Sequence, residues 1–268
     1  MKVMNAIAEV NVLPLWKWKL RVWDFDFVAP SLDRLAALFL HKFALMGKPE
    51  RLFFEQKLKP GMNVVDIGAN QGLYSLMFSR LVGETGTVIA FEPEPDMFAA
   101  LETNISANSV SNVEHHQFAL GSKSGEAMLS RSLINGGDNR LSSGHPDTTS
   151  TKKLVRIVTL DEIVAGRRID FIKMDVQGWE WEAIRGMEAT LGRNPMISVH
   201  FEFWPAGLRR SGCEPTELLH FLSQQGFQIY RCCEGGETLV QDFRLLLNEL
   251  SKDQFVNLYA QRGPSTPR

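Results

Sequence analysis

Apolar and polar positions along this chain fall into two regimes that change near residue 60. From residue 62 onward, short apolar runs alternate with stretches of helical spacing. Asn63–Ile67 reads as an apolar strand, 73–81 as an amphipathic helix closed near Gly83, Thr87–Phe91 as a strand, 95–108 as a helix and 113–118 as a third strand. After a polar interval the pattern resumes. It gives a strand at 154–158, a short helix at Leu160–Val164, a strand at 169–174, a helix at 180–191 and a strand at 196–203. A helix at 215–225 stopped by Gly226, a strand at 227–231 and a last strand at 255–261 complete it. Strands this short and apolar, each separated by a helix, predict a mostly parallel sheet covered by helices on both faces, a Rossmann-like α/β fold.

Two segments depart from this pattern. Residues 121–151 are rich in Ser, Gly, Asn, Asp and Thr and predict a long polar loop. Residues 1–60 predict a helical extension, with helical spacing at 31–45 behind Ser31 as N-cap and again at 50–58, ended by Lys59-Pro60-Gly61. Before these, Trp16, Trp18 and Trp23 mix with Lys17, Lys19 and Arg21, without the sustained amphipathic pattern of a membrane-surface helix. They read as packing for the extension, over the sheet or against a second copy in a homodimer. The division is therefore an extension at 1–60, a domain at 61–262 and a frayed tail at 263–268.

Composition narrows the setting. A formal charge of -2 gives no overall basic footprint for nucleic acid. Three cysteines, Cys213, Cys232 and Cys233, form neither a disulfide framework nor a zinc pattern, which fits a reduced, cytoplasmic protein. The N-terminus lacks the apolar core of a signal peptide, and no run approaches the ~20 apolar residues that span a bilayer.

The chemistry concentrates after the first strand. Asp66-Ile67-Gly68-Ala69-Asn70-Gln71-Gly72 is an acid followed by a glycine turn at a helix N-terminus, where backbone can approach a ligand closely. In open parallel sheets this is where ligands bind. GxGxxG is absent, which disfavours a nicotinamide oxidoreductase, and no Gly-Lys-Ser/Thr follows to make a Walker loop. Glu92, at the end of the second strand, can accept hydrogen bonds from both hydroxyls of a ribose. A pyrophosphate would be repelled by Asp66. S-adenosylmethionine, with an ammonium, a sulfonium and a ribose, suits two carboxylates and a glycine turn better.

As a set, VVDIGANQGLYS at 64–75, FEPEPDMFAALETNI at 91–105, FALGSKSGEA at 118–127, VTLDEIV at 158–164 and IDFIKMDVQGWEWEAIRG at 169–186 resemble the FkbM family of class I S-adenosylmethionine-dependent methyltransferases. The resemblance implies a seven-stranded, mostly parallel sheet and O-methylation of a small-molecule or glycan hydroxyl, on a sugar or natural product. It implies that Asp66, Gly68, Ala69, Asn70, Gly72, Tyr74 and Ser75 surround the methionine end of the cofactor. Glu92 with Pro93 then falls at the ribose, and Ala119 and Leu120 near the adenine. The family usually reads DVEG where this chain has Asp175-Val176-Gln177-Gly178.

Asp175 lies at a strand end, Glu180 in the first turn of the following helix, and Glu202 between aromatics at the end of the fifth strand, where a carboxylate is costly unless paired or used. Asp175 and Glu202 are the candidate general bases, with Glu180 orienting the acceptor. Glu180 in that turn also has a plain role in the helix dipole. His200 shares the Glu202 face and reads first as a core histidine. His115 and His116 point to opposite faces of one strand. No metal is expected, since Asp175, Glu180 and Glu202 have no recognised ligand spacing. The polar interval and the N-terminal helices are expected to close over the acceptor. A non-catalytic, methyltransferase-like binding protein is the rival from another class.

Overall fold

The computed structural model describes residues 19–42, 47–132, 140–142, 150–233, 236–251 and 253–262. Trp16, Trp18 and the tail at 263–268 lie outside them. The chain opens with β1 (Lys19–Val22) and β2 (Phe25–Val28), followed by α1 (Leu32–Lys42) and α2 (Lys48–Lys57). The alternating domain begins with β3 (Asn63–Ile67), α3 (Leu73–Val82), β4 (Thr87–Phe91), α4 (Pro95–Ala107) and β5 (Val113–His116). Next come β6 (Ala119–Leu120), β7 (Gly125–Ser132), β8 (Arg140–Ser142), β9 (Ser150–Val158) and α5 (Leu160–Val164). Then follow β10 (Phe171–Met174), α6 (Glu180–Arg185), α7 (Glu188–Arg193), β11 (Ser198–Phe203), α8 (Pro205–Arg210) and α9 (Pro215–Gln224). The end is β12 (Phe227–Cys233), β13 (Gly236–Leu239), α10 (Phe243–Glu249) and β14 (Val256–Arg262). Among the described residues no helix is long and apolar enough to cross a membrane.

The main sheet runs β5-β4-β3-β10-β11-β14-β12-β13. β3, β4, β5, β10 and β11 are parallel; β14 runs antiparallel between β11 and β12. This is the Rossmann-like sheet expected, with β13 added as an eighth strand at one edge. Successive strands leave β3 in one direction and continue from β10 in the other. The reversal lies between β3 and β10, so their carboxyl ends open a crevice. The β10 strand is buried along its length, as strands covered on both faces are.

Four departures from the sequence reading have physical causes. Residues 19–28 form an antiparallel hairpin, not a helix, turned at Trp23 and Asp24, both at positive φ. Its second strand is tied to α4 by side-chain amides: Asn104 Oδ1 accepts from Val28 N at 2.7 Å, and Asn108 Oδ1 from Asp26 N at 2.8 Å. The stretch 121–151 is not one loop. β7 pairs antiparallel with β9 and β8, and β6 joins β9, in a four-stranded sheet packed through Leu129, Val155, Ile157 and Ala119 onto Trp179. The helix expected at 180–191 breaks into α6 and α7, because Gly186 stands against Gly121: a Cβ there would lie 2.0 Å from the Gly121 carbonyl oxygen. Finally, β13 and α10 follow β12, in a stretch whose weak pattern predicted neither.

The N-terminal elements share the core of the domain. Phe53 and Phe54 of α2 pack with Phe78, Phe171 and Tyr259, and Val22, Phe25, Phe27 and Leu38 pack with Leu73, Leu76 and Leu101. Full burial of one such side chain contributes on the order of 1.5–3 kcal/mol. This anchors α1 and α2 beside the crevice.

Candidate functional site

The loop after β3 takes its shape from contacts on both sides. Gly68, Asn70 and Gly72 have positive φ. A Cβ on Gly68 would stand 2.0 Å from the Asp175 carbonyl oxygen, so glycine lets the β3 and β10 ends meet. Gly72, at φ 90, is the N-cap of α3, and a Cβ there would meet Leu101 Cδ1 at 2.7 Å. Glu92 holds the loop in register: its Oε2 accepts from Asn70 N at 2.8 Å and its Oε1 from Glu94 N at 2.9 Å. Burial pushes the Glu92 carboxyl up to about 7, against the lowering effect of these two bonds. Glu94 in turn caps α4 through Met97 N and pairs with Lys153 of β9 at 2.6 Å, joining the small sheet to the rim.

A cleft lies over the carboxyl ends of β3, β4 and β10. Of the residues singled out in the sequence, Gly68, Ala69, Asn70, Tyr74, Glu92, Pro93, Ala119, Leu120 and Asp175 line it. One end has apolar walls from Phe118, Leu120, Leu129 and Trp179, whose Nε1 donates to Leu120 O. Arg34 and Ala37 of α1 close the side over Asn70 and Gln71.

Asp66, Gly72, Ser75, Glu180 and Glu202 do not line the cleft. Asp66 is fully buried beneath it, accepting from Ser75 Oγ at 2.6 Å and pairing with Lys173 Nζ at 3.4 Å. Gly72 serves the helix start, and Ser75 serves Asp66. Glu180 is fully buried, with Oε1 accepting from Gly178 N at 3.2 Å across the β10–α6 turn. That turn places Gln177 at φ 54 and Gly178 at φ 98, with Gly178 against the Gly207 backbone.

Behind the cleft runs a polar chain that sequence reasoning missed. Lys173, 4% exposed, also donates to Gly68 O. Burial would lower its pKa, but Asp66, Asp175 and Glu50 outweigh this and raise it. Tyr74 donates to Glu50 Oε2 at 2.8 Å, and Asn257 of β14 donates to Glu50 Oε1 at 3.1 Å. Burial raises the Glu50 carboxyl, against the Tyr74 hydrogen bond. Gln177 Nε2 donates both to Asp175 Oδ1 at 2.8 Å and to Glu202 Oε1 at 3.0 Å. A lysine inside the apolar run Phe171–Met174 was the available signal for Lys173. Glu50 and Asn257 carried none, because only tertiary packing brings them together.

Burial, then the charges of Asp175, Glu180 and Glu50, push the Glu202 carboxyl up to about 9; burial pushes Glu180 up to about 7. Glu202 is therefore protonated at neutral pH and has no free charge with which to take a proton. The pair of candidate bases narrows to Asp175. His200, 2% exposed, is held neutral, with its pKa lowered to about 3 by burial and the Lys173 charge. It packs on Phe53 and Phe54, and among the described residues its ring nitrogens find no hydrogen-bond partner. His115 lies near Glu102, and His116 between Phe91 and Phe118, away from the β10 end. Among the described residues no group of three or more His, Cys, Asp or Glu is arranged to hold a metal ion.

A protonated Glu202 has a measurable consequence. The fold favours its neutral form, so the stability it contributes is fully present below the ordinary carboxyl pKa and lost as pH rises through about 9. Glu202→Gln keeps an oxygen for Gln177 and cannot ionise. Its melting temperature is expected to hold between about pH 7 and about pH 10, where that of the unsubstituted protein falls. Thermal denaturation across that range checks it, and parallel curves would show Glu202 already ionised at pH 7.

Residues 66–229, more than half of the chain, match the methyltransferase FkbM domain family. Methyltransferase 1 of Beauveria bassiana is 26% identical over 185 residues, covering 62% of this chain and 73% of that protein. The 31-O-demethyl-FK506 methyltransferase FkbM of Streptomyces tacrolimicus is 34% identical over 116 residues, 43% of each chain. Among solved structures, a SAM-dependent methyltransferase from Aquifex aeolicus aligns over 80% of this chain and 88% of its own, with 19% identity and a TM-score of 0.42.

Proposed function

Because the chain belongs to the FkbM family of class I S-adenosylmethionine-dependent methyltransferases, we propose that it moves a methyl group from S-adenosylmethionine to a hydroxyl oxygen of a small-molecule or glycan acceptor, on a sugar or natural product. The observation that carries the reading is one cleft lined both by Glu92, on the rim of a glycine loop, and by Asp175, at the neighbouring strand end. The Streptomyces tacrolimicus relative, whose name gives an oxygen as its methylation site, supports an oxygen acceptor here.

The residues present fit such a donor. Each Glu92 oxygen accepts one backbone N–H and keeps a further lone pair for a ribose hydroxyl. Ala119, Leu120 and the flanking Phe118 and Trp179 give a purine flat apolar walls. Gly68, Ala69, Asn70 and Tyr74 line the part of the cleft where the amino-acid end of such a donor would lie. Bound S-adenosylmethionine supplies a methyl carbon already activated by a sulfonium.

The protein's share is alignment and proton removal. Holding the reacting groups in line accounts for on the order of 7–11 kcal/mol of barrier reduction at best. Asp175 takes the acceptor proton as base; such transfers contribute typically about 10²–10⁴-fold. Gln177 fixes the Asp175 carboxylate and spans it to protonated Glu202, while Glu180 holds the turn that carries Gln177. Asp66, Lys173 and Ser75 support the loop from below. Glu180 is thus a positioning residue rather than one that touches the acceptor.

A screen of labelled-methyl transfer from S-adenosylmethionine over sugars, glycosides and hydroxylated polyketides tests the proposal. Label on an acceptor oxygen is the expected result. Label only on nitrogen or carbon would refute the oxygen assignment.

A further inference from the structure

A second cavity, of about 350 Å³, lies between α2 and the strands β11 to β14. Glu50, Leu52 and Phe53 of α2 line it, with His200 of β11, Glu237 of β13 and Asn257 of β14. It shares no lining residue with the donor cleft. The two meet at one hydrogen bond, in which Tyr74 of the cleft wall donates to Glu50 of the cavity wall at 2.8 Å. The charges of Asp175 and Lys173, both on the cleft wall, act on Glu50. Asn257 stands in register opposite Glu202, which Gln177 joins to Asp175. The cavity therefore ends beside the candidate base.

His200 is the unexplained group on its wall. It is 2% exposed, its imidazole is neutral, and among the described residues neither ring nitrogen has a hydrogen-bond partner. Buried polar atoms are ordinarily paired, so an unpaired imidazole on a cavity wall calls for a partner that enters the cavity. A neutral imidazole offers one N–H and one acceptor nitrogen, and a hydroxyl can meet either. Charge narrows the class. The lining holds two carboxyl groups, Glu50 and Glu237, and among the described residues no lysine or arginine, so a phosphate or carboxylate would be repelled. Glu237 is already paired with Lys57 Nζ at 2.8 Å, and burial raises the Glu50 carboxyl, so neither calls for a cation. Leu52 and Phe53 give an apolar wall to the carbon skeleton of a ligand.

We propose that this cavity holds the body of the methyl acceptor, an uncharged, hydroxyl-bearing ring, with one hydroxyl on His200 and the reacting hydroxyl directed past Glu50 toward Asp175. His200 is then a specificity-determining residue. The inference rests on the methyl-transfer reading above and deepens it: neutral sugars and polyols are acceptors, and their phosphorylated or carboxylated counterparts are not.

Labelled-methyl transfer from S-adenosylmethionine to paired probes tests this. The uncharged set is methyl glycosides and hydroxylated macrolides; the charged set is sugar phosphates and uronic acids. Label on an uncharged probe and not on the charged set is the expected result. His200→Phe keeps a ring against Phe53 and Phe54 and loses both nitrogens. It is expected to raise KM for the labelled uncharged probe about 10-fold, to lower kcat less, and to leave S-adenosylhomocysteine affinity in calorimetry unchanged. His200→Gln, which keeps a donor and an acceptor, should recover part of the loss. Leu52→Trp, at a half-exposed position on α2, narrows the cavity without entering the core and should raise KM as well; it decides alone if His200→Phe does not fold. Equal transfer to the charged set, or an unmoved KM in either folded variant, would overturn the inference and leave the methyl-transfer reading standing. Label on no probe of either set would instead fail that reading itself.

Discussion

Asp175→Asn is expected to slow methyl transfer by about 10²–10⁴-fold, the usual range for loss of a general base, while S-adenosylhomocysteine affinity stays nearly unchanged. The substitution is almost isosteric. Asparagine retains an oxygen for the Gln177 amide, which donates to Asp175 Oδ1 at 2.8 Å, so the turn at 176–179 keeps its shape. What disappears is the carboxyl group on the cleft wall that can take a proton. Glu202 cannot replace it near neutral pH, because its own carboxyl is pushed up to about 9 and does not line the cleft. Single-turnover transfer with labelled donor, alongside calorimetry, separates the two effects. Transfer within a few-fold of the unsubstituted rate would mean that the proton leaves by another route.

Glu92→Gln is expected to weaken S-adenosylhomocysteine binding by on the order of 100-fold, as one ribose hydrogen bond is lost and the other no longer has a charged acceptor. Both Glu92 oxygens face backbone N–H donors, Asn70 N and Glu94 N. A glutamine must turn its NH₂ toward one of them, which sets donor against donor and loosens the loop as well as removing a ribose acceptor. The pH dependence follows from the same carboxyl. With its pKa raised to about 7 in the ligand-free protein, Glu92 is increasingly ionised as pH rises through 7. Ribose hydroxyls favour the ionised form. Donor affinity should therefore increase from about pH 6 to about pH 8 in the unsubstituted protein and stay flat in the variant. Calorimetry at both pH values checks this; equal affinities for the two proteins would remove Glu92 from the ribose.

Much of the fold was legible because local pattern and tertiary structure agree. β3, β4 and α5 fall at the bounds read from apolar runs and turn residues. The elements that escaped had little pattern to show. The hairpin turns at Trp23-Asp24, which lacks the Asn-Gly signal, and it is held by Asn104 and Asn108 from far along the chain. β7 and β9 carry many polar residues because they belong to a small sheet with few buried positions, such as Leu129 and Val155.

The site shows the same division. The glycine loop, Glu92 and Asp175 were visible as strand-end chemistry and share one cleft. Gly72 and Ser75 stood inside the right motif but act beneath the surface, one at a helix cap and the other on Asp66. Arg34 and Glu50 could not be read, because α1 and α2 lie far from the motif in sequence and only the packing of Leu38, Phe53 and Phe54 brings them to it. Gln177 looked like a lost charge. Its amide instead joins two carboxyl groups, a role no glutamate could fill without a proton.

The central claim is that the cleft at the β3 and β10 ends holds an S-adenosylmethionine-type donor. Its most direct test is calorimetric titration of the unsubstituted protein with S-adenosylhomocysteine and, separately, with NAD. Saturable binding of S-adenosylhomocysteine at one site per chain, with no heat from NAD, is the expected result. Tight binding of NAD without binding of S-adenosylhomocysteine would contradict it.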